Sequence, residues 1–253
     1  MYVACSTLCF ARLPLDRALR LMAELEFSKV DVAIGHNAHL KPSEVIEDAT
    51  RAGLRIRIGP TLTPAAFSVE FGVQSDAEYL QQIKAICKLA RHTTVPLLTV
   101  PAASNGSGLD AEIKRLRGLV QIVEAEGLTL TVPTRIGTLT ELPSTARELC
   151  ERVPGLGLTL DPSHFVNGPH QGGSYDEVFP YVRHVQLRDS GKGPGKFQVR
   201  VGQGEIEYGR IISQLQRYRY DRLLTVALHD VAEAPFAMET EVRKLKYLLE
   251  SLI

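Results

Sequence analysis

Short runs in which every second residue is apolar alternate along the chain with longer runs in which apolar residues return at three- and four-residue steps. The first pattern is that of a strand with one buried face, the second that of an amphipathic helix. Strand-like runs lie at 3–9 (VACSTLC), 29–34 (KVDVAI), 54–59 (LRIRIG), 96–101 (PLLTVP), 128–132 (LTLTV), 156–161 (LGLTLD), 184–189 (HVQLRD) and 223–229 (LLTVALH). Helix-like runs fill the intervals near 14–26, 42–52, 76–92, 109–126, 138–152, 175–182, 207–218 and 237–251. Local signals agree with these intervals. Ser75-x-x-Glu78 and Thr138-x-x-Glu141 read as capping boxes, and Pro14 and Pro42 suit a first helical turn. Gly53 and Gly127 each stand where a helix is expected to end and a strand to begin.

Eight strand-then-helix units in 253 residues, with no break in composition, predict one α/β domain over 1–253, a (βα)8 TIM barrel. In such a barrel chemistry gathers at the C-terminal strand ends, so the register of the later strands matters. Leu156, Leu158 and Leu160 should face the helices, which turns Thr159 and Asp161 inward. By the same alternation His184, Gln186 and Arg188 point inward from the seventh strand and Thr225, Ala227 and His229 from the eighth. Pro133 closes the fifth strand, with Arg135 one step beyond it.

Composition narrows the partners. The 29 basic and 29 acidic side chains give no net formal charge, which argues against general nucleic-acid binding. No apolar run is long enough to span a bilayer, no basic leader opens the sequence, and the four cysteines lack disulfide or zinc-finger spacing. A cytoplasmic protein with reduced, buried cysteines is expected, free of membrane and nucleic-acid partners. Its apolar outer helices permit a homo-oligomer.

The segments GLTLTVPTRIGTLTEL, GLGLTLDPSHF, VRHVQLRDS, VGQGEIEYGRII and YDRLLTVALHD, in this order and spacing, resemble the xylose isomerase-like TIM-barrel superfamily. That group includes sugar phosphate isomerases and epimerases and is related to AP endonuclease family 2. The resemblance implies a divalent metal held by Glu, Asp, His and Glu from strands five to eight. Those positions are here Pro133, Asp161, Gln186 and Ala227, so only Asp161 survives, followed by the family's histidine as His164. Proline and alanine offer no ligand, and an amide oxygen is a poor replacement for imidazole. No tight cofactor is expected, although a weakly held Mn²⁺, Mg²⁺ or Zn²⁺ completed by ligand oxygens stays open.

The candidate catalytic residues are Asp161, His164 and His229, with Asp161 also the one metal-ligand candidate. Arg135, Gln186, Arg188, Lys192, Lys196, Arg200 and His36 are candidate substrate-binding residues, because guanidinium and ammonium groups around a glycine-rich loop suit an anion. The ligand class is a small sugar, polyol or anionic sugar derivative. Three functions follow: an isomerase/epimerase-like protein with altered chemistry, a non-catalytic metabolite-binding barrel in which Asp161-x-x-His164 is a structural remnant, and, least favoured, an AP-endonuclease-like nuclease.

Overall fold

A computed structural model describes residues 1–57, 62–72, 75–171, 173–232, 234 and 236–253. Eight parallel strands close a barrel in sequence order: β1 (Tyr2–Ser6), β2 (Lys29–Gly35), β3 (Thr63–Glu70), β4 (Leu97–Thr99), β5 (Thr129–Pro133), β6 (Gly157–Leu160), β7 (Val182–Leu187) and β8 (Leu223–Val226), with β8 returning to pair with β1. The helices wrapped around it are α1 (Leu15–Glu24), α2 (Pro42–Glu47), α3 (Ala49–Arg55), α4 (Asp76–Thr93), α5 (Leu109–Ala125), α6 (Pro143–Arg152), α7 (Pro162–Asn167), α8 (Tyr208–Arg217) and α9 (Met238–Leu252). Short 3₁₀ turns follow β1 and precede β7.

The main apolar layer lies between strands and helices. Outward strand residues such as Val32, Leu130, Leu158, Val185 and Leu224 pack into the same buried cluster as Leu19, Ile86, Leu116, Leu149, Ile211 and Leu245 from the helices. The barrel interior is polar instead. The hydroxyls of Thr99, Thr131 and Thr159 meet in a triangle at 2.8–2.9 Å, and His184 bridges Thr225 at 2.8 Å and Thr159 at 3.4 Å. Such groups are tolerated inside because each finds a partner across the barrel. These cross-barrel bonds support the inward register read from alternation on the fifth to eighth strands.

The third strand is a correction. Residues 54 and 55 belong to α3, Leu54 is exposed, and the strand is TPAAFSVE at Thr63–Glu70. Positions 58 and 59 of the expected strand lie outside the described residues. The interval 42–52 is two helices, because Asp48 leaves helical geometry and caps α3 through the Thr50 and Arg51 amides. Gly53 consequently lies within α3 rather than after it. The Ser75–Glu78 capping box and the helix end before Gly127, at φ 77°, occur as expected. Thr138–Glu141 forms no box: α6 starts at Pro143, and the Glu141 carboxylate accepts from the Gly137 amide at 2.9 Å. Among the described residues no helix is long and apolar enough to cross a membrane, and all four cysteines are buried and unpaired.

Candidate functional site

A cavity of about 500 Å³ opens at the C-terminal strand ends, lined in part by His36, Ser68, Glu70, Arg135, Asp161, His164, Gln186, Arg188, Phe197 and His229. Asp161 follows β6 and caps α7. Its Oδ1 accepts from the Ser163 amide at 3.1 Å and, in a short bond, from the Ser163 hydroxyl. The Thr134 hydroxyl grips its backbone, accepting from the Asp161 amide at 2.9 Å and donating to its carbonyl at 3.1 Å. The remaining oxygen, Oδ2, accepts from Arg188 Nη2 at 2.6 Å, a charge-assisted bond between two buried side chains.

Arg188 joins three strand ends. Besides Asp161 it reaches His229, with Nη1 3.2 and 3.1 Å from the two ring nitrogens. Near-equal distances place that group against the imidazole face rather than on one lone pair. The Phe197 ring centroid lies 5.1 Å from the guanidinium carbon and 4.7 Å from the His164 ring, the two rings tilted at 57°. The Ile136 amide donates to His164 Nδ1 at 3.2 Å, which fixes the ring proton on Nε2, 3.7 Å from Asp161 Oδ2.

These contacts set the protonation states. Burial alone would raise the Asp161 pKa, but Arg188, then His164 and the Ser163 hydrogen bond, hold it below the usual carboxylate range. Burial pushes His164 down to about 4, and Arg135 and Arg188 add to that effect. His229 falls to about 3, first because of the Arg188 charge and then by burial. Its surface is exposed, so the charge of Arg188 is the firmer cause. Near neutral pH the cluster around Asp161 therefore holds one ionised carboxylate, one guanidinium and two neutral imidazoles, those of His164 and His229.

Gln186 belongs to a second network. Its Nε2 donates at 2.9 Å both to Asp31 Oδ2 and to Ser68 Oγ, and Ser68 in turn donates to Asp31 at 2.9 and 3.0 Å. The amide oxygen is left without a protein partner among the described residues. Asp31 is fully buried, and His184 lies 3.8 Å from it. Burial holds His184 below its usual pKa, against the pull of Asp31.

Of the sequence candidates, His36, Arg135, Asp161, His164, Gln186, Arg188 and His229 all line the cavity. Lys192, Lys196 and Arg200 do not; Lys192 pairs at the surface with Glu205 at 3.2 Å. Arg135 is paired with Glu70 at 3.0 Å, so neither cavity arginine is an unengaged anion receptor. The loop after β7 is organised from within, where the Asp189 carboxylate accepts from the Ser190, Gly202 and Gly204 amides at 3.0, 2.7 and 3.1 Å. It is anchored again at Gln198, whose amide exchanges two hydrogen bonds with the His229 backbone, at 3.0 and 2.6 Å. Asp31, Ser68, Glu70 and Phe197 are additions. Asp31 had a signal, an acid with apolar residues on both sides in KVDVAI, whereas Ser68 and Glu70 were hidden by the misplaced third strand.

The profile of the xylose isomerase-like TIM barrel family matches residues 19–248. The chain belongs to this family. No curated protein sequence matches it. Solved structures share the fold at low identity. D-allulose 3-epimerase from Methylomonas sp. superposes with TM-score 0.78 at 11% identity, covering 100% of this chain and 98% of that one. The IolI protein with a bound zinc atom gives 0.77 at 15%, with coverage of 100% and 98%. The probable 3-DHS dehydratase AsbF from Bacillus anthracis gives 0.76 at 14%, with 99% of each chain covered.

The residues present do not fit the metal that the family implies. Asp161 has both oxygens engaged, Gln186 turns its NH₂ toward Asp31 and Ser68, Pro133 lines the cavity without a donor, and Ala227 is a buried methyl. Among the described residues no group of three or more His, Cys, Asp or Glu side chains is arranged to hold an ion.

Proposed function

We propose that this sugar isomerase/epimerase-like barrel binds a small, uncharged, polyhydroxylated carbohydrate in the strand-end cavity. The observation that carries this reading is charge pairing. The charged lining side chains among the described residues are two acids and two bases, matched as Asp161 with Arg188 and Glu70 with Arg135. A phosphate would add negative charge beside guanidinium groups whose charge Asp161 and Glu70 already offset, whereas neutral hydroxyls can bond to the Gln186 oxygen, the His229 ring and the remaining guanidinium N–H groups without that cost. Structural neighbours support the class: they include an L-ribulose 3-epimerase and a 3-keto-D-glucoside 4-epimerase.

Calorimetric titration tests the reading. Free ketopentoses and ketohexoses should bind at least about tenfold more tightly than their phosphates, and Gln186→Ala should weaken sugar binding about tenfold, roughly 1.4 kcal/mol. Tighter binding of the phosphates would overturn it. A role in binding without turnover is favoured by two features. Pro133 and Ala227 stand where the resemblance expects proton-moving carboxylates, and the depressed basicity of His229 makes it a poor base at neutral pH. Deuterium incorporation from solvent at the carbon beside the sugar carbonyl would decide for turnover.

A further inference from the structure

We infer that the Arg188 guanidinium is this chain's built-in substitute for the divalent cation of its family, so that the site excludes such a metal and engages its ligand without one. The inference rests on the cavity being the ligand site, as proposed above, but not on which sugar enters it.

Alternation along β7 turns His184, Gln186 and Arg188 inward, and Arg188 stands just beyond the strand end. From there its side chain reaches the Asp161 carboxylate after β6 at 2.6 Å and the His229 ring after β8 at 3.1–3.2 Å. The positive charge is thus set among the ends of strands six, seven and eight, on the one family ligand that this chain keeps. Asp161 cannot serve two cations at once. An ion coordinated by its Oδ2 would displace Nη2, leave the guanidinium unpaired in a place where it is only 2% exposed, and bring two positive charges together.

A second observation is that the guanidinium is not saturated with partners. Arg188 Nε is buried and has no hydrogen-bond partner, and Nη1 and Nη2 each use one N–H on His229 and Asp161. A planar group with five donors therefore has N–H groups left over in a side chain that lines the cavity. An oxygen ligand, whether a sugar carbonyl or hydroxyl, would meet a fixed positive charge of the kind a metal supplies. Being covalently part of the chain, this charge cannot dissociate as a bound ion can. The Phe197 face at 5.1 Å and the Asp161 carboxylate hold it in one orientation, as coordination holds a metal. The substitutions of the other ligand positions fit the same picture. With the charge built in, carboxylates after β5 and β8 have no cation to neutralise, and Pro133 and Ala227 cost the site nothing.

The test is a titration of chelator-treated wild-type protein with MnCl₂ and, separately, ZnCl₂, with Asp161→Asn as the control for location. The expected result is no Asp161-dependent binding tighter than about 0.1 mM. One equivalent bound more tightly than that, and lost in Asp161→Asn, would overturn the inference whatever sugar the protein takes. If Asp161→Asn does not fold, location is read in the wild type from selective Mn²⁺ broadening of the His164 and His229 ring signals. Tight binding that broadens both overturns the inference, and tight binding that spares both supports it. Because the probes are metals alone, failure of the sugar reading leaves this result standing. A sugar titration that requires added metal would instead sink the inference and leave the sugar reading intact.

Discussion

Arg188→Met is expected to lower the free energy of unfolding by about 3–5 kcal/mol, the cost of leaving one member of a buried ion pair alone. The reasoning follows the surroundings of Asp161, which is 2% exposed and takes its charge compensation from Arg188 at 2.6 Å. Methionine roughly preserves the apolar stem but removes every donor, so the carboxylate must either stay charged without a counterion or take up a proton. The double variant Arg188→Met/Asp161→Asn should recover most of the loss, since asparagine keeps the cap on α7 and removes the stranded charge. Urea unfolding of the two single variants and the double variant measures this coupling. A loss below about 1 kcal/mol for Arg188→Met, typical of exposed pairs, would mean that solvent already screens the interaction.

Stability should also fall by about 3 kcal/mol between pH 6.5 and pH 4 on account of His164. Its folded pKa is depressed to about 4, and its side chain is 16% exposed. An unfolded histidine titrates near 6.5, so below that pH the unfolded chain gains a proton that the folded chain refuses. The stability contributed by keeping His164 neutral is full above about pH 6.5 and declines as pH falls. The decline levels off near pH 4, where the folded ring also protonates. His229 acts in the same direction, but its exposure lets water weaken the effect. Asp161 adds a separate loss at lower pH. Its folded pKa is lowered, so the stability it contributes is present above about pH 3.9 and lost as pH drops through the folded value. Urea midpoints at pH 7, 5.5 and 4.5 check the first stage. His164→Asn, which can still accept the Ile136 amide, should flatten it; the same slope in both proteins would remove His164 as the cause.

The later strands were legible because their signal is local. Leucine or valine at every second position on β6, β7 and β8 fixes which residues turn inward, and Asp161, Gln186, Arg188 and His229 do line one cavity. The third strand was not legible. LRIRIG alternates better than TPAAFSVE, yet Asp48 caps a helix that carries Leu54 and Arg55 past the expected strand start. Strand propensity lost there to helix capping, and with it went the view of Ser68 and Glu70. Pairing was the other hidden layer. Arg135 and Arg188 read as anion receptors because their partners, Glu70 and Asp161, lie 65 and 27 residues away and meet them only when the barrel closes. The loop after β7 likewise reads as a basic, glycine-rich segment, while Asp189 folds it inward and brings Phe197 onto the Arg188 guanidinium.

We propose that the Arg188 guanidinium replaces the metal of the family. Crystals grown in excess MnCl₂ and measured for anomalous scattering test it most directly. The account predicts no manganese peak beside Asp161, with the Arg188 guanidinium bonded to that carboxylate. A manganese ion coordinated by Asp161, with Arg188 turned away, would contradict it.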